Sequence, residues 1–122
     1  MNWELDDKTP IYLQIIEKIR LAIISGIYKP GDKLPSVRDL AVEASVNPNT
    51  MQKALSELEN KGLLYSQRTA GRFITDDTEL IGRLRGDKAR TESREYIQLM
   101  KQLGLSRTEV IDIINELLEE SL

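Results

Sequence analysis

The sequence contains no cysteine and no histidine. Without cysteine there is no disulfide and no thiolate metal site. Without histidine there is no imidazole to move protons or to hold a transition metal. Aromatic residues are scarce, with one Trp, one Phe and four Tyr. No apolar run approaches the roughly 20 residues that a membrane-spanning helix needs, so no membrane segment is expected. The opening Met1-Asn2-Trp3-Glu4-Leu5-Asp6-Asp7 is acidic and lacks an apolar h-region, so it does not read as a signal peptide. Together with the missing cysteines, this gives a cytoplasmic location as the expectation. No Gly-rich phosphate loop and no pair of carboxylates in a pocket can be argued, so neither an enzyme nor a cofactor is expected.

What is present is a chain of 122 residues. That is long enough to bury a core and suits one domain with a small appendage. The net charge is -3, but its distribution says more than its sum. The acidic excess lies after residue 75. Between Ala44 and Ser56 the only charge is Lys53, and from Lys61 to Thr75 the charges are Lys61, Arg68 and Arg72, all positive. These are the stretches suited to a polyanion.

Thr9-Pro10 reads as a helix start, with Thr9 as cap and Pro10 at the first helical position. Ile11, Ile15, Ile16, Ile19, Ala22 and Ile23 follow at helical spacing, and Ser25-Gly26 ends the helix. Lys29-Pro30-Gly31-Asp32 is a tight turn. Ser36 then opens a short second helix, with Asp39 completing a capping-box pattern. After Ser45-Val46, Asn47 caps a third, longer helix whose first position is Pro48. Short helix, brief turn and longer helix form a helix-turn-helix pattern.

The third helix divides into two faces. Met51, Ala54, Leu55 and Leu58 fall on one side and pack inward. Asn49, Gln52, Lys53 and Ser56 fall on the other, with Glu57 and Glu59 only toward the far end. A polar, acid-free beginning suits a helix whose start enters a DNA groove. Lys61-Gly62 stops it. Leu63 to Ser66 and Arg72 to Thr75 read as two short strands joined by a turn from Gln67 to Gly71, forming a small wing. Tyr65 and Phe73 are expected in the core.

The expected architecture is mainly α with a small β wing. Residues 1–75 form an N-terminal winged helix-turn-helix, and residues 76–122 a short C-terminal two-helix dimerisation segment. Residues 78–103 have helical patterning, with a weak or solvent-facing stretch from Gly86 to Ser93. Ser106-Arg107-Thr108-Glu109 is a capping box for a last helix. Two short helices cannot bury the stripe Val110, Ile111, Ile113, Ile114, Leu117 and Leu118 unaided. Tyr96, Ile97, Met100, Ile111, Ile114 and Leu118 are therefore expected at a homodimer interface. An intrasubunit core is the competing reading.

Thr9-Pro10-Ile11-Tyr12 through Ile74 resembles the DNA-binding domain of GntR-family regulators. The residues that carry the resemblance are Pro30-Gly31-Asp32-Lys33-Leu34-Pro35-Ser36-Val37-Arg38-Asp39-Leu40-Ala41, Val46-Asn47-Pro48-Asn49-Thr50, and Ala54-Leu55 with Leu58 and Gly62-Leu63. The tail around Leu99-Met100-Lys101-Gln102-Leu103-Gly104-Leu105-Ser106 is similar to that of the YtrA-type subfamily. The resemblance implies a homodimeric regulator, often a repressor. The wing departs from the family's Arg-x-Gly-x-Gly-x-Phe. It reads Arg68-Thr69-Ala70-Gly71-Arg72-Phe73, so Thr69 or Ala70 stands where the first glycine is usual. Gln52 stands where some members carry a basic residue.

The resemblance makes Arg38 a DNA contact, where the residues alone allow a solvated surface arginine. A guanidinium fork can grip phosphate or guanine. Ser36 and Asn47 are helix caps first and phosphate contacts second. Asn49, Thr50, Gln52 and Lys53 are the candidates for reading bases, since Asn and Gln can pair bidentately with adenine and the Thr methyl can meet that of thymine. Arg68, Gly71 and Arg72 belong to the wing, with the arginines aimed at the minor groove or flanking phosphates and one of them left as a solvated hairpin charge. The expected partners are double-stranded operator DNA and a second copy of the chain. A small-molecule effector is left open. A winged-helix module that binds another protein, with no operator of its own, is the rival reading.

Overall fold

The computed structural model describes residues 1–121; Leu122, the last residue of the expected C-terminal segment, lies outside the described residues. The elements run α1 (Ile11–Ile24), α2 (Val37–Ala44), α3 (Pro48–Asn60), β1 (Leu64–Gln67), β2 (Gly71–Ile74), α4 (Thr78–Gln102) and α5 (Arg107–Ser121). They group into two compact units, Met1–Arg85 and Gly86 onward.

The first unit is built around α3, which packs against α1, α2 and β1. α1 contributes Ile15, Ile16, Ile19, Ala22, Ile23 and Ile24, all buried. Its start corrects the expected cap. Pro10 keeps the extended φ -53, ψ 135 and is itself the N-cap, with no side-chain cap bond. Gln14 does the anchoring from within the helix. Its amide donates to the carbonyls of Thr9 at 2.8 Å and Asp6 at 2.9 Å, and its oxygen accepts from the Asp6 N–H at 3.0 Å. That fastening holds the N-terminal segment, whose Trp3 and Leu5 pack on the core.

The caps of the next two helices are as read. Ser36 Oγ accepts from the Asp39 N–H at 3.1 Å, and Asn47 Oδ1 accepts from the Asn49 N–H at 2.7 Å. Between them Ser45 takes the left-handed φ 57, ψ 46, the only non-glycine among the described residues with positive φ. That conformation lets the Val46 N–H return to the Ala41 carbonyl at 2.9 Å and closes the turn.

The wing is an antiparallel pair with register Leu64↔Ile74, Tyr65↔Phe73, Ser66↔Arg72 and Gln67↔Gly71. Both strands lie one residue from their expected bounds, so Gln67 and Gly71 end the ladder and only residues 68–70 turn. A third short pairing was not legible beforehand. Leu34 N–H bonds the Arg72 carbonyl at 2.9 Å, Ile74 N–H bonds the Asp32 carbonyl at 2.8 Å, and Lys33 bridges Phe73. The Pro30-Gly31 turn thus lays the chain before α2 along the outer edge of β2. Tyr65 and Phe73 are not core residues. They stack on each other half-buried, with ring centroids 5.6 Å apart, because the register sets them opposite one another on one face of the hairpin.

The first two turns of α4 belong to this unit. Ile81 is buried, Leu80 and Leu84 pack on the core, and Arg85 Nε donates to the Ile24 carbonyl at the end of α1 at 2.6 Å. The stretch from Gly86 to Ser93 is unbroken helix and mostly exposed, so of the two expectations for it the solvent-facing one holds and the weak one does not. Ion pairs at helical spacing, Lys88–Glu92 at 3.0 Å and Arg90–Asp87 at 3.4 Å, support it in place of an apolar face.

In the second unit, Gly104 ends α4 and Ser106 starts α5 with a complete capping box. Glu109 N–H donates to Ser106 Oγ at 3.2 Å, and Ser106 N–H donates to Glu109 Oε1 at 3.0 Å. Those bonds hold the Glu109 carboxyl below its usual range. No residue of α5 is buried. Ile97, Leu99, Leu103, Ile111, Ile114, Leu117 and Leu118 are between 38 and 64% exposed.

Candidate nucleic-acid interface

The expected DNA-facing residues sit on three elements of one unit. Ser36 caps α2 and Arg38 is its second residue, both exposed. Asn47 caps α3, and within α3 Asn49, Gln52 and Lys53 are exposed while Thr50 is half-buried. The inward face of the same helix is fully closed, since Met51, Ala54, Leu55 and Leu58 are 0 to 1% exposed. α3 is therefore held from behind while Asn49, Gln52 and Lys53 face solvent. No acidic residue lies in its first turn. The free N–H groups there add a partial positive charge.

In the wing, Arg68 and Thr69 are exposed and Ala70 half-buried. Gly71 carries φ +106, which explains why the surviving glycine stands at this position. Thr69 and Ala70 keep negative φ, so the hairpin closes without the first family glycine. A groove of about 810 Å³ separates the start of α2 from the wing, lined by residues that include Lys33, Ser36, Gly71 and Arg72.

Two of the expected cations are engaged inside the protein. Lys53 Nζ lies over the Tyr12 ring of α1. Arg72 points toward α3, with its side chain only 18% exposed. Its Nε pairs with Glu59 Oε1 at 3.1 Å, and its Nη1 donates to Gln52 Oε1 at 3.4 Å. Glu59 also accepts from Ser66 Oγ at 2.7 Å. The Gln52 amide donates to Ser56 Oγ at 3.3 Å. The Ser66 hydroxyl, then Arg72, holds the Glu59 carboxyl below its usual range against an opposing effect of burial. Glu59 was expected only at the far end of this face, and neither Ser66 nor Tyr12 was legible as part of it, because each meets its partner only through the fold. Among the described residues no group of acidic side chains is placed to hold a metal ion, and no helix is long and apolar enough to cross a membrane.

The six residues expected at a dimer interface lie in the second unit. Ile97, Ile111, Ile114 and Leu118 are exposed, while Tyr96 and Met100 are half-buried. Leu99, Leu103 and Leu117 are exposed as well, outside the six residues expected at the interface. Ile97, Ile111 and Ile114, with Lys101 and Arg107, line a groove of about 460 Å³.

Comparison with known proteins agrees with this architecture. Residues 11–74 match the family described as "Bacterial regulatory proteins, gntR family". The chain is 36% identical to the uncharacterized HTH-type transcriptional regulator YhcF of Bacillus subtilis, over 98% of both chains. It is 48% identical to the HTH-type transcriptional repressor YtrA of the same organism, over 58% of this chain and 55% of that one. Among solved structures, a GntR family transcriptional regulator from Listeria monocytogenes superposes with a TM-score of 0.83 at 38% identity, covering 92% of this chain and 98% of its own. The DNA-binding domain of AraR in complex with operator ORX1 superposes with a TM-score of 0.55 at 30% identity, covering 59% of this chain and 93% of its own. The helix-turn-helix, the wing and the two-helix tail together place this chain in the GntR family of bacterial regulatory proteins, in its YtrA-like branch.

Proposed function

We propose that the protein is a homodimeric, sequence-specific transcription regulator, a repressor, that binds an inverted-repeat operator. The observation that carries this is α3, sealed on one side by Met51, Ala54, Leu55 and Leu58 and open on the other at Asn49, Gln52 and Lys53. A rigid helix with an acid-free, polar N-terminal half is suited to a major groove. Asn49, Thr50, Gln52 and Lys53 read bases. Arg38, Ser36 and Asn47 grip the flanking backbone, and Arg68 and Gly71 bring the wing to the minor groove or its phosphates. The operator complex of the AraR domain, a relative of the first unit, supports this reading. The site of action is the cytoplasm, where the DNA is, and the role is binding without catalysis.

Energetics supports a second subunit. Among the described residues, the second unit has none that is buried, yet it carries seven exposed large apolar side chains. Each is already about half covered, so completing its burial contributes about 1 kcal/mol. A second copy of the same face, through Tyr96, Ile97, Met100, Ile111, Ile114 and Leu118, covers them symmetrically. The dimer then sets two copies of α3 about one helical turn, roughly 10 base pairs, apart on DNA.

Selection of bound genomic fragments by the purified protein at physiological salt tests the proposal. An enriched inverted repeat that is lost with Arg38→Ala is the expected result. No enriched sequence from a folded dimer would overturn direct operator binding and favour a protein-interaction module.

A further inference from the structure

We infer that Arg72 is a specificity-determining positioning residue, which orients Gln52 for base reading from the wing and does not itself bind the phosphate backbone. The inference rests on the operator-binding reading above. Gln52 is an exposed side chain on the open face of α3, and such a side chain ordinarily samples several rotamers. Here both ends of its amide are engaged. Oε1 accepts from Arg72 Nη1 at 3.4 Å, and Nε2 donates to Ser56 Oγ at 3.3 Å. The Arg72 bond fixes which end of the amide is oxygen, since a guanidinium can only donate, whereas the Ser56 hydroxyl would accept either end.

What remains free decides what Gln52 can read. A carboxamide has two acceptor lone pairs and two N–H donors. One of each is used within the protein, which leaves one acceptor and one donor. That is the pair that adenine demands in the major groove through N6–H and N7. A Gln held in this way arrives with its rotamer entropy already spent and its polarity already chosen.

Arg72 is fixed in turn. Its Nε is paired with Glu59 Oε1 at 3.1 Å, and that oxygen is steadied by Ser66 Oγ at 2.7 Å. Ser66 and Arg72 are cross-strand partners in the wing, so the hairpin register delivers both to Glu59. A guanidinium this engaged, and 18% exposed, has its charge countered before DNA arrives. Arg68, exposed at the hairpin turn, is the wing cation left for phosphate.

The experiment measures the full chain on its operator and on operators substituted at each base, over a range of salt, for wild type, Arg72→Ala, Gln52→Ala and the double variant. Arg72→Ala is expected to flatten preference at one symmetry-related pair of positions, by about tenfold. It leaves the slope of log affinity against log salt unchanged, and it adds nothing in the Gln52→Ala background. A uniform loss on every sequence, with the slope reduced by about one unit, makes Arg72 a phosphate contact and overturns the inference. So does an unchanged base preference. Failure of the wild type to prefer any sequence instead overturns the regulator reading itself. Glu59→Gln, which keeps the size of the side chain, is expected to reproduce the flattening more weakly. In the free protein, side-chain amide NMR of Gln52 should show increased mobility in Arg72→Ala; unchanged order there also overturns the inference, independently of DNA.

Discussion

Lys53 Nζ sits 3.7 Å from the centroid of the Tyr12 ring, so a cation of the open α3 face is fastened to α1. Cation–π contacts at exposed sites contribute about 0.5–1 kcal/mol. Tyr12→Leu should lower the unfolding free energy by about that amount, while Tyr12→Phe, which keeps the ring face, should not. Urea titrations of the three proteins compare them directly. Equal midpoints for Leu and Phe would show that the ring does not hold the lysine.

Asn47 caps α3 through its bond to the Asn49 N–H at 2.7 Å. Asn47→Ala should cost about 1 kcal/mol of stability. It should also loosen the start of the helix proposed to enter DNA. Thermal denaturation reads the first effect, and operator titration at a temperature where both proteins are folded reads the second.

Ser45 holds a left-handed backbone between the two helices. A residue with a Cβ spends about 1–2 kcal/mol there, and glycine does not. Glycine gives back part of this gain through its freer unfolded chain. Ser45→Gly should therefore stabilise the protein by about 0.5–1 kcal/mol. Gly71→Ala works in the opposite direction at φ +106 and should cost about 1–3 kcal/mol. Calorimetry of the pair checks both signs.

The Glu59 carboxyl is depressed in the folded chain, first by the Ser66 hydroxyl and then by Arg72. A carboxylate lowered by folding adds stability that is full above its unfolded value and is lost as pH falls through the folded one. The difference in urea midpoint between wild type and Glu59→Gln should thus be largest near neutrality and shrink below the ordinary carboxylate range. A difference that stays constant with pH would show that Glu59 titrates alike in both states.

Ile114 and Leu118 lie on the uncovered face of α5, at 38 and 49% exposure. Replacing both with Glu removes about 3 kcal/mol or more from a dimer held through this face, roughly a hundredfold in dimer affinity. Sedimentation equilibrium should show monomer at concentrations where the wild type is dimeric. An undisturbed dimer would place the interface elsewhere.

How much of this was legible in the sequence depended on distance along the chain. Asn47-Pro48, Ser36 with Asp39, and Ser106 with Glu109 are caps because the bonding groups lie two or three residues apart, so local chemistry suffices. The buried stripe of α3 was legible because 3.6-residue periodicity is written in Met51, Ala54, Leu55 and Leu58. The Arg72–Glu59–Gln52 cluster was not, since its members are 13 and 20 residues apart and meet only once the wing register is set. The Tyr65–Phe73 stack and the edge pairing of Lys33 depend on the same register. That the solvent-facing stretch from Gly86 to Ser93 is firm helix was only half legible, for another reason. It has no apolar period, and its ion pairs at three- and four-residue spacing are a weaker signal than a hydrophobic stripe.

α5 buries none of its fifteen residues against its own chain. A helix with that character in a dimer ties its own order to abundance. By mass action, doubling the amount of protein more than doubles the assembled form while that form is still scarce. A regulator assembled in the proposed way responds to its own concentration with a threshold. On that proposal, its expression level is itself a signal.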